Sequence, residues 1–257
     1  MEPTRETLTH AEIQDYSSRY IAIEGPDGVG KTGAVNELVA SLKKRYGDGK
    51  IVQIREPGHT AVGAQIRALT KNPEHIGALS NKALALLFAV DRIVTFETIT
   101  LPALKAGNIV LSDRSFWSSL VYQVKVGGFD SPLFDDIHDY ALQGVKPGLV
   151  AVFNTDFSVA QSRNKSRIEN GGEALDRFDL AGDDAKRAIH RAFYQMCEDH
   201  PQNCRLIDTS VSEAEVAAKA IKVVKEYFDT LDAFKTQNIE EATAGQKPTI
   251  RKIRKPR

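Results

Sequence analysis

The chain has 257 residues, of which 42% are hydrophobic and 26% charged, and its formal net charge at pH 7 is zero. This composition is typical of a globular domain with a sizeable core, and the balanced charge argues against a strongly basic nucleic-acid-binding protein or an acidic disordered one. No apolar run is long enough to cross a bilayer, and the two cysteines, Cys197 and Cys204, lack metal-ligand spacing. We therefore expect a soluble, cytoplasmic protein with reduced thiols.

Apolar, β-rich runs alternate along the chain with helical patterns. The predicted strands are Tyr20–Glu24, Ile51–Arg55, Asn108–Asp113, Leu149–Asn154 and Arg205–Asp208. The predicted helices are Thr32–Arg45, Asn81–Lys105, Trp117–Val124, Ser158–Ile168, Asp184–Asp199 and Glu213–Phe234. Alternation at these lengths predicts an α/β fold, a parallel five-stranded sheet flanked by helices on both faces.

The pattern predicts one domain over residues 20–234, preceded by an N-terminal extension of residues 1–19. From about Lys235 the sequence is low in large apolar residues and becomes strongly basic. This composition indicates a basic, flexible tail over residues 235–257. Solvated disorder is the simpler interpretation of the tail, and a weak electrostatic contact to nucleic acid, a membrane or a partner is the alternative.

A glycine-rich loop follows the first predicted strand. The Gly-x-x-x-x-Gly-Lys-Thr spacing is that of a phosphate-binding loop, and the flanking strand and helix indicate a P-loop NTPase-type sheet. The nucleotide-binding residues expected here are Gly25, Asp27, Gly28, Val29, Gly30, Lys31 and Thr32. Lys31 would reach the β- and γ-phosphates, and Thr32 would ligate Mg²⁺. The competing interpretation is a glycine-rich turn that binds nothing.

Charged residues follow the second and third predicted strands. Arg55 begins an Arg-Glu-Pro-Gly turn and predicts a second phosphate site, although a solvated surface arginine is an equal alternative. Asp113 ends an apolar strand, as does the magnesium-water ligand of many phosphate-loop enzymes, and Arg114 adds a cation beside it. A local salt bridge between Asp113 and Arg114 is the simpler alternative.

Two further patterns indicate a base pocket and a lid. Phe88 and Arg92 share one helix face, where they can stack on and hydrogen-bond a flat base, although a lone phenylalanine is more often core. Residues 158–180 combine a helix, a Gly-Gly turn and cations, which predicts a mobile helical lid over phosphates. The alternative for this segment is a basic helix face exposed to water.

Taken in order, these motifs resemble those of thymidylate kinases, members of the nucleoside monophosphate kinase group. The resemblance spans about residues 20–234. Its motifs are Gly25–Thr32, Arg55–Gly58, Leu87–Arg92, Asp113-Arg114, Ser118–Gln123 and Asp176–Asp179. The phosphate loop is widely shared, whereas Arg-Glu-Pro-Gly joined to Ser-Ser-x-x-Tyr-Gln is much more selective.

The resemblance implies phosphorylation of dTMP to dTDP by ATP with Mg²⁺, in dTTP biosynthesis. It implies that Arg55 and Arg114 hold the dTMP phosphate and that Asp113 assists the metal. The implied acceptor contacts are Phe88 stacking on thymine, Arg92 at its carbonyl edge, Ser119 near the base, Gln123 close by, Tyr122 against the sugar 2′ position and Asp27 toward the 3′-hydroxyl. It also implies a homodimer packed through helices that include Asn81–Lys105. The balanced charge and the lack of a long apolar run give no reason to expect a membrane or nucleic-acid partner for the domain.

The phosphate loop carries no arginine, so the chain resembles members of the family that supply the catalytic arginine from the lid. Arg163 and Arg167 are the leading candidates, and Arg177 is the third. A lid cation that arrives only with both substrates also limits wasteful ATP hydrolysis. The chain departs from the family's usual residues at His59, Ser115 and Asn154.

Two other functions remain open at this point. Ser115 and His59 motivate a related deoxypyrimidine monophosphate kinase that accepts dUMP. The phosphate loop and the basic tail motivate a nucleotide-dependent switch or binding module without acceptor chemistry. The sequence lacks an evident guanine-reading Asn-Lys-x-Asp element, and a switch would not need Phe88 and Arg92 on one face.

Overall fold

The structure, a computed structural model, describes residues 7–169, 180 and 182–244 of the chain. Its five strands are β1 (Tyr20–Glu24), β2 (Ile51–Arg55), β3 (Ile109–Asp113), β4 (Leu149–Asn154) and β5 (Cys204–Asp208). All neighbouring pairs are parallel, in the order β2-β3-β1-β4-β5. The predicted α/β fold is confirmed, and two strands differ from their predicted starts by one residue.

Helices cover both faces of this sheet. They are α1 (His10–Ser18), α2 (Lys31–Tyr46), α3 (Ala61–Lys71), α4 (Asn81–Thr95), α5 (Leu101–Lys105), α6 (Phe116–Ser119), α7 (Ser131–Leu142), α8 (Phe157–Glu169), α9 (Asp183–Asp199) and α10 (Glu213–Ala244). A π-helical segment, Phe96–Thr100, joins α4 to α5, so Asn81–Lys105 is continuously helical as predicted. A second one, Leu120–Val126, continues α6.

Three helices, α1, α3 and α7, were not predicted from the sequence. Each begins at a side-chain cap: Thr9 accepts from Glu12 N in a capping box, Thr60 from Gly63 N, and Asp130 from Leu133 N. Side-chain caps of this kind are helix start signals that a sequence carries. The helix predicted to end at Phe234 continues to Ala244, since the next glycine or proline is Gly245.

The core lies in two layers because successive strand residues point to opposite faces of the sheet. All of β1 is buried, with Tyr20 and Ala22 on one face and Ile21 and Ile23 on the other. The first face packs against aromatic side chains that include Phe96, Phe134 and Phe193, and the second against α2 and α10. None of the described helices is long and apolar enough to cross a membrane.

The sheet places a crevice at the carboxyl end of β1. Strand β1 lies between β3 and β4, where the strand order changes direction, and ligands of open α/β sheets bind at such a point. Residue Gly25 turns the chain there with φ of 134°, and a Cβ on it would lie 2.0 Å from the carbonyl oxygen of Phe153 in β4. Only glycine fits this turn.

We predict that Gly25→Ala lowers the free energy of unfolding by about 2 kcal/mol or more, because positive-φ strain adds to displacement of the β4 backbone. Urea denaturation followed by circular dichroism measures the change. Gly49→Ala is the matched control, since Gly49 has no positive φ and a Cβ there meets no atom within 4 Å. The control should be neutral or more stable by up to about 1 kcal/mol. Equal stability of the two variants would contradict the prediction.

Candidate active site

The phosphate loop is built for an anion at the start of α2. Its N-cap residue Gly30 has φ of 82° and makes no side-chain cap, so the first-turn N–H groups of α2 have no side-chain acceptor at the cap. Such N–H groups, together with the helix dipole, bind phosphate. Six predicted nucleotide-binding residues, Asp27, Gly28, Val29, Gly30, Lys31 and Thr32, line one cleft here, called the donor cleft below.

Lys31 lies across the loop. Its Nζ donates to the carbonyl oxygens of Gly25, at 2.9 Å, and Pro26, at 2.5 Å. Burial, together with the nearby charge of Arg114, lowers the pKa of Lys31 to about 8. Both bonds end on neutral carbonyls, so an anionic phosphate is a stronger partner for the ammonium group than the ones it has here.

Asp27 and Arg114 form an ion pair at the mouth of the loop. Arg114 Nη2 donates to Asp27 Oδ1 at 2.6 Å, and Nη1 donates to Gly25 O at 3.1 Å and to Ser118 Oγ at 3.0 Å. Burial disfavours the charged carboxyl, but Arg114 and Lys31 outweigh it and hold the pKa of Asp27 well below its usual range. Asp27 is thus an anion whose charge is already balanced.

The pair is supported from inside the sheet by Glu24, which sequence reasoning missed. The fully buried Glu24 carboxylate accepts from Ser115 Oγ at 2.7 Å, from Ser118 N at 3.2 Å and from Ser118 Oγ at 2.5 Å. Burial raises the pKa of Glu24. Arg114 itself has φ of 71°, a backbone conformation that residues other than glycine seldom adopt. Ser115, one of the departures from the family pattern, is therefore part of a structural network.

A second cleft, called the acceptor cleft, opens beside the first, and its empty space, part of it open to solvent, amounts to about 660 Å³. All eight predicted substrate-binding residues line it: Asp27, Arg55, Phe88, Arg92, Arg114, Ser119, Tyr122 and Gln123. Arg67 and Lys71 of α3 line it as well and were missed, because α3 was not predicted.

Arg92 lies at the bottom of this cleft with its charge compensated. Its Nε donates to Glu56 Oε2 at 2.7 Å, and both side chains are under 5% exposed. Arg92 Nη1 donates to His138 Nε2 at 2.8 Å, and Ser119 Oγ lies 3.4–3.5 Å from both Nη atoms. Burial, with the charge of Arg92, lowers the pKa of His138 to about 3. Neither Glu56 nor His138 was predicted as part of the site.

The tyrosine and glutamine of the Ser-Ser-x-x-Tyr-Gln motif lie in the second π-helical segment. The Tyr122 ring is 5.7 Å from the guanidinium carbon of Arg114, at cation–π distance. Gln123 is buried, and its backbone carbonyl accepts from Asn81 Nδ2 at 2.8 Å. The motif therefore contacts Arg114 on one side and α4 on the other.

The strand-end charges Arg55 and Asp113 lie side by side. They are register partners on β2 and β3, and Arg55 Nε is 3.6 Å from Asp113 Oδ2. Asp113 and Thr32 both line the donor cleft. The described residues contain no cluster of three or more His, Cys, Asp or Glu side chains suited to a metal.

The lid residues are only partly described. Arg163 lines the donor cleft, and its Nη1 donates to Thr209 O at 2.8 Å. The side chain of Arg167 and residue Arg177 lie outside the described residues. Asn154, a second departure from the family pattern, is buried. Its Oδ1 accepts from Thr155 N, and its Nδ2 donates to the backbone carbonyl of His190. The third departure, His59, is exposed.

The fold and the two clefts define a class, that of P-loop enzymes with a second, cation-lined pocket beside the phosphate loop. The sequence model of a family described as thymidylate kinase matches residues 23–220. The chain belongs to this thymidylate kinase family.

Individual relatives agree with this assignment. A thymidylate kinase of Pelotomaculum thermopropionicum is 33% identical over 211 residues, which is 82% of this chain and 94% of the relative. One from Lactiplantibacillus plantarum is 29% identical over 219 residues, covering 85% of this chain and 97% of the relative. A crystal structure of thymidylate kinase from Ehrlichia chaffeensis superimposes with a TM-score of 0.62 at 25% identity, covering 80% of this chain and 97% of the other.

We predict that Glu56→Gln lowers the free energy of unfolding by about 3 kcal/mol, because it leaves the buried Arg92 charge uncompensated. Glu169→Gln is the matched control. Glu169 faces Lys165 at 3.9 Å, but these side chains are 62% and 77% exposed, and such a pair contributes under about 0.5 kcal/mol. Chemical denaturation of both variants measures the difference. A Glu56→Gln protein as stable as the control would show that the buried pair is not needed for stability.

Proposed function

We propose that this chain transfers the γ-phosphoryl group of ATP to the phosphate of dTMP, giving ADP and dTDP, with Mg²⁺ bound. One observation carries the proposal: Asp27, Arg55, Lys71 and Arg114 line both clefts. Transfer brings the γ-phosphate and the acceptor phosphate together, so negative charge accumulates where the two clefts join. Three cations and one balanced anion at that junction supply the positioning and charge neutralisation that phosphoryl transfer requires.

On the donor side, Lys31 and the loop N–H groups hold the ATP phosphates. Thr32 and Asp113 fit Mg²⁺, because both oxygen side chains line the donor cleft and Mg²⁺ binds through one or two such groups, water and phosphate oxygens. The bound ion would neutralise charge on the β- and γ-phosphates. Arg163 is supported as the lid cation by its place in this cleft, and Arg167 and Arg177 stay alternatives.

On the acceptor side, Arg55 and Arg114 hold the dTMP phosphate. Phe88 stacks on thymine, Arg92 donates to its carbonyl edge, and Ser119 and Gln123 complete the base pocket. Tyr122 lies against the sugar and disfavours a 2′-hydroxyl. Asp27 holds Arg114 in place and faces the sugar 3′-hydroxyl with its remaining oxygen. The cleft contacts of these residues support each role.

The alternatives are less well supported. A nucleotide-dependent switch has no use for a second cleft with its own cations. A kinase that prefers dUMP would have to exclude the thymine methyl group. Ser115, which motivated that variant, is buried and donates to Glu24, away from a role in discriminating bases.

The location and the tail stay predictions. A cytoplasmic location is expected from the sequence, and the basic residues 245–257 lie outside the described residues. We therefore propose no role for the tail.

A homodimer is supported by exposed apolar side chains on two adjacent helices. Val62 and Leu69 of α3 and Leu86 and Val90 of α4 are each 38–50% exposed, and α3 packs against α4. Leu86 and Val90 are one turn apart and form a stripe along the helix. We propose that this stripe meets its counterpart in a second copy of the chain.

The acceptor proposal predicts that dTMP is phosphorylated at least about tenfold more efficiently, in kcat/KM, than dUMP, UMP, dCMP or AMP with ATP and Mg²⁺. A coupled assay of ADP release, with product identity checked by chromatography, measures the ratio. If a purine monophosphate were the best acceptor, the proposal would be contradicted. A preference for dUMP would favour the alternative kinase, and hydrolysis without acceptor dependence would favour the switch.

The dimer proposal predicts that Leu86→Lys weakens association at least about tenfold, since a two-fold axis brings two copies of the new charge together. Sedimentation velocity over a concentration series measures the dissociation constant. Phe234→Lys is the control, because Phe234 is 63% exposed but lies on α10, on the other face of the sheet. If both variants sediment like the unmodified chain, this stripe is not the interface.

A further inference from the structure

His138 lies behind the acceptor cleft and does not line it. It is on α7, is 2% exposed, and its ring is 4.0 Å from the Phe134 ring and 5.9 Å from the Phe116 ring, centroid to centroid. Helix α7 packs against α4, which carries Arg92. Among the described residues, the charged group at hydrogen-bond distance from this packed ring is Arg92.

The two hydrogen bonds of His138 determine its protonation state. The Phe134 carbonyl, 2.7 Å from Nδ1, can only accept, so Nδ1 must carry a hydrogen. The Arg92 guanidinium, 2.8 Å from Nε2, can only donate, so Nε2 must be unprotonated. The ring is therefore neutral and has a single tautomer, with its acceptor nitrogen directed at the arginine.

The guanidinium of Arg92 has five N–H groups, and the described residues account for four of them. Nε donates to Glu56, and Nη1 donates to His138 and, more weakly, to Ser119. One Nη2 hydrogen is directed at Ser119 Oγ at 3.4 Å. The second Nη2 hydrogen remains for a ligand in the cleft that Arg92 lines. With Nε and Nη1 held by short bonds, the plane of the guanidinium cannot rotate.

We propose that His138 is a positioning residue for base recognition: its Nε2 holds the Arg92 guanidinium so that one Nη2 hydrogen faces the pyrimidine carbonyl edge. The inference rests on the proposed function for the identity of the base. Without the histidine acceptor, a buried Nη1 hydrogen has no partner, and the guanidinium turns to satisfy it at the expense of the ligand. His138 touches neither substrate, so it acts on acceptor binding through Arg92 alone.

The test compares His138→Met with His138→Gln in the full chain. Methionine fills the space without an acceptor, whereas the glutamine amide oxygen reaches about the position of Nε2. We expect His138→Met to raise the KM for dTMP about tenfold, and His138→Gln to restore it to within about threefold of the unmodified chain. The KM for ATP and kcat should change less than about twofold in both variants. An unchanged KM for dTMP in His138→Met, or equal changes in both variants and both substrates, would overturn the proposal.

A second measurement needs no variant. Two-dimensional ¹H–¹⁵N spectroscopy of the unmodified protein at pH 7 reports the histidine tautomer. The proposal requires His138 to be protonated at Nδ1 alone, and a hydrogen on Nε2 would overturn it. This result is independent of the acceptor. If the unmodified chain fails to phosphorylate dTMP, the proposed function fails, while the spectrum still decides whether Nε2 accepts from Arg92.

Discussion

The ion pair between Asp27 and Arg114 is the interaction on which both clefts depend. It joins the phosphate loop to the carboxyl end of β3, and Ser118 connects it to the buried Glu24 at the end of β1. The arginine is thereby held in a left-handed backbone conformation that only a well-supported residue keeps. An acid inside a phosphate-binding loop is tolerable for the same reason, since its charge is compensated within the protein before any phosphate arrives.

The acceptor cleft follows the same principle with a second buried arginine. Removing Arg92 and Glu56 from water is costly, and replacing such a pair with apolar groups often leaves a protein equally stable. What the pair provides is a fixed donor at the bottom of the acceptor cleft, with Glu56 and His138 fixing two sides of the guanidinium. A pocket that reads a base with a rigid donor leaves its own buried group unpaired when the wrong base binds, and this penalty is the physical source of selectivity.

Much of this architecture could be predicted from the sequence because strands and phosphate loop have strong local signals. Strands such as β1 are short apolar runs, and the glycines beyond them have conformations that other residues avoid. Because these polar residues come at or just after strand ends, Arg55, Asp113 and Arg114 could be predicted to lie at one edge of the sheet. Helix α7 was not predicted, and His138 was missed with it, because its partner Arg92 lies 46 residues away in sequence. Glu24 was missed since a carboxylate ending a buried strand has no local pattern that reveals its partners.

The π-helical segment Leu120–Val126 has a consequence for how such a site can change over time. A π-turn holds one more residue per hydrogen-bonded ring than an α-turn, so this segment is one residue longer than its span requires. Loss of a single residue there would let it relax into an ordinary α-helix. The same loss would rotate Tyr122 and Gln123 away from the acceptor cleft that both now line. A change in the length of this segment would thus act directly on the shape of the acceptor cleft, because two of its residues line that cleft.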